Sequence, residues 1–491
     1  MLTTGSALHN ARLKLGLEDA SSVSHYSEVE PALDRRHEQE DMSPLELMDL
    51  GQRLDEKLSQ QGTLLACYRS YLAPIRRLPV EILLEIFGAG RVLPGWTPLH
   101  AVQLVKAAEA TCFHWHEIIK GTPDLHTWIA LPQFCKGVPR QLRLSMGKLL
   151  RVYVSPSVPT FQLDETLQLL AKHGNRWEMF EVVNTSGRCD PIIPSLYDGF
   201  TDETFDSLTT LCIPDFHVYP ISEWWIKMVF ARAERLENVS LGDFRPSMGF
   251  PPASLRSLRV AEGSLLSLID VLRRCDQLER LEVTKILDDV PAAANMILAR
   301  EGPFVARNVR RLELGPALAD WHSEECQCER LLTIITTPAL QTLSCYASGS
   351  TLRDLYQRSA PPLGELQVSA YALCEDDILD ALAVVPSLRT LRVAAHHWCP
   401  DVLIRALAVR GGSLILCPNL AHLEISVKGE GVQLICPDMF RHMIESRRAA
   451  ADAGLIAPLK NVDLSPGGRI LPDICRAQTA AAQFRYASHV P

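Results

Sequence analysis

Cys326 and Cys328 stand one residue apart, with His322 before them and His396, His397 and Cys399 further on; this is the arrangement in the chain that comes nearest to a set of metal ligands. Structural zinc takes four such nitrogen and sulfur ligands in a tetrahedron, so a site would form only if two separate loops converged. Since no secretory leader is expected, loop thiols are expected to be reduced and unligated, and no metal or other cofactor is expected. His114 and His116 flank Trp115 at a spacing of two, which does not bring both onto one helical face; they are read as surface or boundary histidines. No GxSxG elbow, GxxxxGK(S/T) loop, GxGxxG turn or HExxH pair occurs, and each of those carries a defined chemistry. The chain is therefore not expected to be an enzyme. An active site assembled from unfamiliar loops would need a deep pocket of convergent titratable groups.

Recognition is what remains. The chain has 491 residues, 47% of them hydrophobic, which is too long for one compact domain unless the architecture repeats. Lys and Arg number 49 against 58 for Asp and Glu, giving a net charge of −9 with no long basic run, so a phosphate-neutralising nucleic-acid surface is not expected. The first twenty residues hold no apolar core after a basic start, and no run of eighteen apolar residues follows. Neither a leader nor a membrane span is expected, and the protein is expected in the cytoplasm, the nucleus or both. The 14 cysteines are scattered without a disulfide framework and are read as reduced, mostly buried thiols.

The elements that must position a recognition site begin after residue 42, since residues 1–42 are too polar to offset the entropy of ordering and are read as a disordered tail. Ser43-Pro44-Leu45-Glu46 has the form of a capped helix start. Leu47, Leu50, Leu54, Leu58, Leu65, Tyr68 and Leu72 then fall on one stripe, so residues 43–71 are read as an amphipathic stem helix. It could pair two copies of the chain as a short coiled coil, or pack on its own domain. Next comes LAPIRRLPVEILLEIF, in which Pro79 opens a helix and Glu81 favours its positive end. Ile82 and Ile86 stand one turn apart, as do Leu83 and Phe87. So short a helix with apolar residues on more than one face needs two surfaces to cover it, and it is read as a docking element. A second helical stretch runs through Val102, Val105, Cys112, Trp115 and Ile119 to Gly121-Thr122-Pro123.

Leu78, Pro79, Glu81, Ile82, Ile86 and Phe87, followed by Cys112 and Trp115, resemble the F-box: Leu-Pro, then Glu-Ile, then Ile-Phe, then a second helix with Cys-x-x-Trp. The resemblance covers residues 72–128 and is similar in particular to the F-box proteins expanded in mushroom-forming fungi, where a Pro-Ile-Arg-Arg-Leu-Pro run precedes the box, as at Pro74 to Pro79. This chain departs from the pattern at Phe113, His114 and His116, where basic residues are usual around the Trp, and at His126, where a Trp commonly follows Leu125. The resemblance implies a site for the Skp-family linker of a cullin-RING ubiquitin ligase, with Leu78, Pro79, Ile82, Leu83, Ile86, Phe87 and Trp115 divided between the contact and its support. It implies an adaptor in ubiquitin-dependent proteolysis that performs no chemistry and raises the effective concentration of a substrate protein.

Downstream, apolar-x-x-apolar-x-apolar recurs eleven times, from Trp177/Phe180/Val182 through Leu208/Leu211/Ile213, Leu255/Leu258/Val260 and Leu388/Leu391/Val393 to Leu459/Val462/Leu464. The last two positions of each triplet have the period of a strand with one face buried, and helical stretches such as residues 265–275 and 376–385 lie between triplets. The fold class expected is α/β: a repeat solenoid over residues 129–475, with a short tail at 476–491. It resembles an irregular leucine-rich-repeat horseshoe, because Phe216, Phe244, Gly263 and Ile286 stand where that family has Asn. Turn groups must then be satisfied in some other way. Side chains beside the buried ones would line the concave face, making Arg259, Arg280, Glu282, Arg311, Glu313, Arg392 and Glu424 candidate substrate readers; any solvated sheet face would also show mixed charge. The alternative in a different class is a leucine-rich scaffold with a relic box that joins no ligase.

Overall fold

The computed structural model describes residues 49, 52–53, 55–62, 78–90, 98–131, 135–154, 160–182, 204–213, 220–249, 251–287, 303–315, 328–370, 375–395, 401–410, 415–427 and 436–466. The chain divides into two compact units, residues 1–85 and 86–491. In the first, residues 55–62 are helical and exposed, with Leu58 62% exposed, and Arg53 pairs with Asp49 one turn away. The cap at Ser43 and the other six apolar positions of the stripe lie outside the described residues, as do the two terminal tails. The division falls inside helix α1 (Val80–Ala89), which starts directly after Pro79 and has Glu81 in its first turn.

The second unit opens with α2 (Pro98–Thr111) and α3 (Phe113–Lys120), which pack on each other. A sheet follows. Among the described residues thirteen strands form it, all parallel and ordered as the chain runs: β1 (Trp128–Leu131), β2 (Leu150–Val154), β3 (Trp177–Val182), β4 (Thr210–Ile213), β5 (Asn238–Phe244), β6 (Ser257–Ser264), β7 (Arg280–Leu287), β9 (Arg311–Leu314), β11 (Thr342–Cys345), β12 (Glu365–Ala370), β13 (Thr390–Ala395), β14 (His422–Val427) and β15 (Asn461–Pro466). β8 (Phe304–Val305) and β10 (Ile335–Thr336) make a separate parallel pair. Parallel neighbours need crossover connections, and helices supply most of them: α4 (Val138–Leu144), α5 (Thr160–Ala171), α6 (Pro220–Arg232), α7 (Leu265–Arg274), α8 (Cys328–Ile334), α9 (Gly349–Ser359), α10 (Glu375–Ala383), α11 (Asp401–Leu407) and α12 (Pro437–Asp452).

The triplets explain the register. Their middle residues form one continuous rung, Phe180, Leu211, Val239, Leu258, Leu281, Leu312, Leu343, Leu366, Leu391, Leu423 and Val462. From Phe180 to Leu423 all are buried. Because the side-chain period of a strand is two, slipping by one residue would turn every one of these groups outward, and this fixes the pairing. The rung extends back through Val152 to Ile129, so the sheet begins two strands before the first triplet.

Without an Asn ladder the strand starts are held by the backbone. The carbonyl of Glu237 accepts from the amides of both Arg256 (2.8 Å) and Ser257 (2.9 Å), and the same double acceptance recurs at the carbonyls of Arg256, Glu279, Arg310, Gln341, Gly364, Arg389 and Ala421. At four of the triplets the residue just before the triplet adds a side-chain bond to an earlier carbonyl. Ser254 donates to the Glu234 carbonyl (2.7 Å), Asn308 to Asp276 (2.6 Å), Ser387 to Leu363 (2.8 Å) and Asn419 to Pro386 (2.9 Å). The positions of the missing Asn are apolar and buried instead, with Phe244 at 1% and Ile286 at 4% exposure; Phe216 lies outside the described residues.

Candidate functional site

Helix α1 sorts its apolar residues by face. Leu83 and Phe87, one turn apart, are buried at 0% and 3%, while Ile82 and Ile86, also one turn apart, are 41% and 43% exposed. Pro79, just before the helix, is exposed and Leu78 is half-buried. Trp115, on α3, is buried, and its ring meets that of Phe87 edge-on with centroids 5.1 Å apart. Of the seven residues expected to serve the linker, Pro79, Ile82 and Ile86 are therefore free to touch another protein, and Leu83, Phe87 and Trp115 are internal. Phe113 is 74% exposed at the start of α3, an apolar surface group that sequence reading noted only as a departure. His126 is buried and bonds through Nε2 to the Ile119 carbonyl at 2.9 Å. A half-buried imidazole partner explains Glu109 in part: it pairs with His116 at 3.4 Å and with Arg140.

The second candidate surface is the sheet face opposite the rung. On it the charged residues named from the sequence are exposed or half-buried, and they bind one another. Arg259 pairs with Glu282 (3.0 Å), Arg280 with Glu282 (3.0 Å) and Glu313 (3.4 Å), and Arg311 with Glu313. Across the neutral strand β11, Arg392 pairs with Glu365 (2.7 Å) and Glu424 (3.1 Å). Beside the last group lies an open depression of about 370 Å³, lined by Thr390, Arg392, His422, Glu424, Asn461 and Asp463 among others. The strand alternation also locates Glu365 as a candidate reader; Asn461 and Asp463 were not among the readers, although the same alternation would have located them. The β2–β3 end of this face is different in kind. Tyr153 is buried beside Trp128, with Arg151 over the Trp128 ring at 5.5 Å. Glu181 there has its carboxyl pushed above the usual range by burial.

Of the residues weighed as metal ligands, Cys328 is buried at the start of α8, and the others lie outside the described residues. Among the described residues no group of three or more metal-binding side chains comes together, and no helix is long and apolar enough to cross a membrane. No protein-family model matches the chain, and no curated protein matches it.

Proposed function

We propose that this chain is a substrate-recognition adaptor of a Skp-cullin-F-box-type ubiquitin ligase. α1, α2 and α3 are the F-box, and the parallel sheet with its helices is an irregular leucine-rich-repeat-like solenoid. The observation that carries the reading is on α1. A Leu-Pro start is followed by Ile82 and Ile86 held outward while Leu83 and Phe87 are buried, which is costly for a helix with no partner and natural for one that docks. The linker binds over Pro79, Ile82 and Ile86, and through it the chain joins the cullin. A substrate protein binds the open face of the sheet, and ligation follows from proximity to the ubiquitin-charged enzyme rather than from any side chain of this protein. The stem at residues 43–71 sets spacing or pairs two adaptors.

Co-purification with a recombinant Skp-family linker tests the reading. Wild type is expected to capture the linker stoichiometrically, and an Ile82→Glu, Ile86→Glu variant of equal thermal stability is expected to lose it. No capture by the wild type would point to a scaffold that keeps the box as a relic.

A further inference from the structure

The open face of the sheet is split by charge. On β6, β7 and β9 three arginines stand over two glutamates: Arg259, Arg280 and Arg311 keep 65%, 43% and 48% side-chain exposure, against 16% and 24% for Glu282 and Glu313. The carboxylates brace the guanidinium groups from below, and the outward edges remain fixed and available to an anion. Past Thr342 and Ser344 of β11 the balance reverses. Arg392 is shared between Glu365 and Glu424, and Asp463 of β15 is the registered neighbour of Glu424. Like charges side by side on adjacent strands destabilise a sheet, and a cation laid over Glu424 and Asp463 removes that cost.

We propose that the open face docks one segment of a partner protein that is itself bipolar, with an acidic group over Arg259, Arg280 and Arg311 and a basic group over Glu424 and Asp463. This rests on the reading of the open face as the substrate surface and names the chemistry of what binds there. β7 and β14 are five strand spacings apart, about 24 Å at roughly 4.8 Å each. A helix of about sixteen residues or an extended stretch of about seven reaches from one patch to the other.

The test uses the full-length protein and two fluorescein-labelled probes, hexalysine and hexaglutamate, with binding read by anisotropy at low ionic strength. In Glu424→Lys, Asp463→Lys the hexalysine affinity is expected to fall about tenfold or more, and in Arg259→Glu, Arg311→Glu the hexaglutamate affinity is expected to fall likewise. A control with the same charge change on the exposed side of α12, Glu445→Lys, Asp452→Lys, is expected to shift hexalysine by less than about twofold. If a reversal variant does not fold, Glu424→Gln, Asp463→Asn and Arg259→Gln, Arg311→Gln take its place, with a smaller loss in the same direction. Equal losses in the control and the face variants, or failure of both probes to bind the wild type, overturn the proposal. Linker capture is measured on the same preparations. Capture retained without site-selective probe binding sinks the bipolar face alone, and the converse sinks the adaptor reading alone.

Discussion

Arg447, on α12, has no solvent exposure, and its guanidinium donates to the carbonyls of Leu407 (3.1 Å), Leu416 (3.2 Å) and Cys417 (2.8 Å). Leu407 is the last residue of α11, whose carbonyl a helix end otherwise leaves orphaned; Leu416 and Cys417 lie in the turn before β14. Burial lowers the arginine's pKa, yet a guanidinium stays charged in proteins, so hydrogen bonding has to offset its desolvation. Arg447→Met should cost about 3 kcal/mol in urea denaturation, since two buried acceptors and a part-buried one lose a charged donor; an unchanged midpoint would show that water replaces it. Nothing in Ser446-Arg447-Arg448 distinguishes this arginine from its exposed neighbour, and sequence reading passed over it. The cysteines were more legible. Cys275 and Cys417 each accept, through their carbonyls, the amide that opens the next triplet, and burial pushes their thiols up from 9.0 to about 11 and about 12. A raised folded-state pKa means the stability they contribute is whole below pH 9 and is lost as pH climbs through 11 to 12. Cys275→Ala, Cys417→Ala should therefore lose less stability than wild type between pH 9 and 11, compared by thermal melts at matched ionic strength.

At the scale of elements, the division of α1 into an internal and an external face makes opposite mutational signatures. Leu83→Ala and Phe87→Ala should each destabilise by about 2 to 5 kcal/mol through lost burial and a cavity, whereas Ile82→Glu, Ile86→Glu should leave the melting temperature nearly unchanged. If the glutamate pair unfolds the protein, the exposed stripe is structural. The triplets located the strands from β3 onward because a Leu at each rung leaves a periodic mark. β1 escaped because His126 stands three positions before Ile129, where the other units have an apolar residue; β2 completes the pattern as Leu149/Val152/Val154 but was passed over, and its Tyr153 is buried on the face that elsewhere is polar. The substitute for the Asn ladder was also hidden. Ser254, Asn308, Ser387 and Asn419 share one position but two residue types, so only their common acceptors reveal them. Asn419→Ala should cost about 1 kcal/mol, read by the same urea titration.

For the molecule as a whole, the sequence pattern carried the α/β class and the register, because both follow from a period of two repeated many times. The pairing among open-face charges was not legible: it depends on which strands become neighbours across loops of unequal length, as Arg280 meeting Glu313 and Arg392 meeting Glu365 show. Since strand order follows chain order, a chain cut after residue 427 should keep β1 to β14 folded at reduced stability, seen as retained far-ultraviolet circular dichroism and a lower melting temperature. Collapse of the signal would mean that α12 and β15 hold more than their neighbours. The doubly accepting carbonyls give this order a mechanical meaning. From β5 onward each strand start of the large sheet hangs on one carbonyl at the start of the strand before it, and each strand pairs only with its neighbours in chain order, so tension applied at the β15 end loads one strand boundary at a time. The sheet should peel under force in a staircase of short extensions, last strand first, with no one rupture that releases the whole.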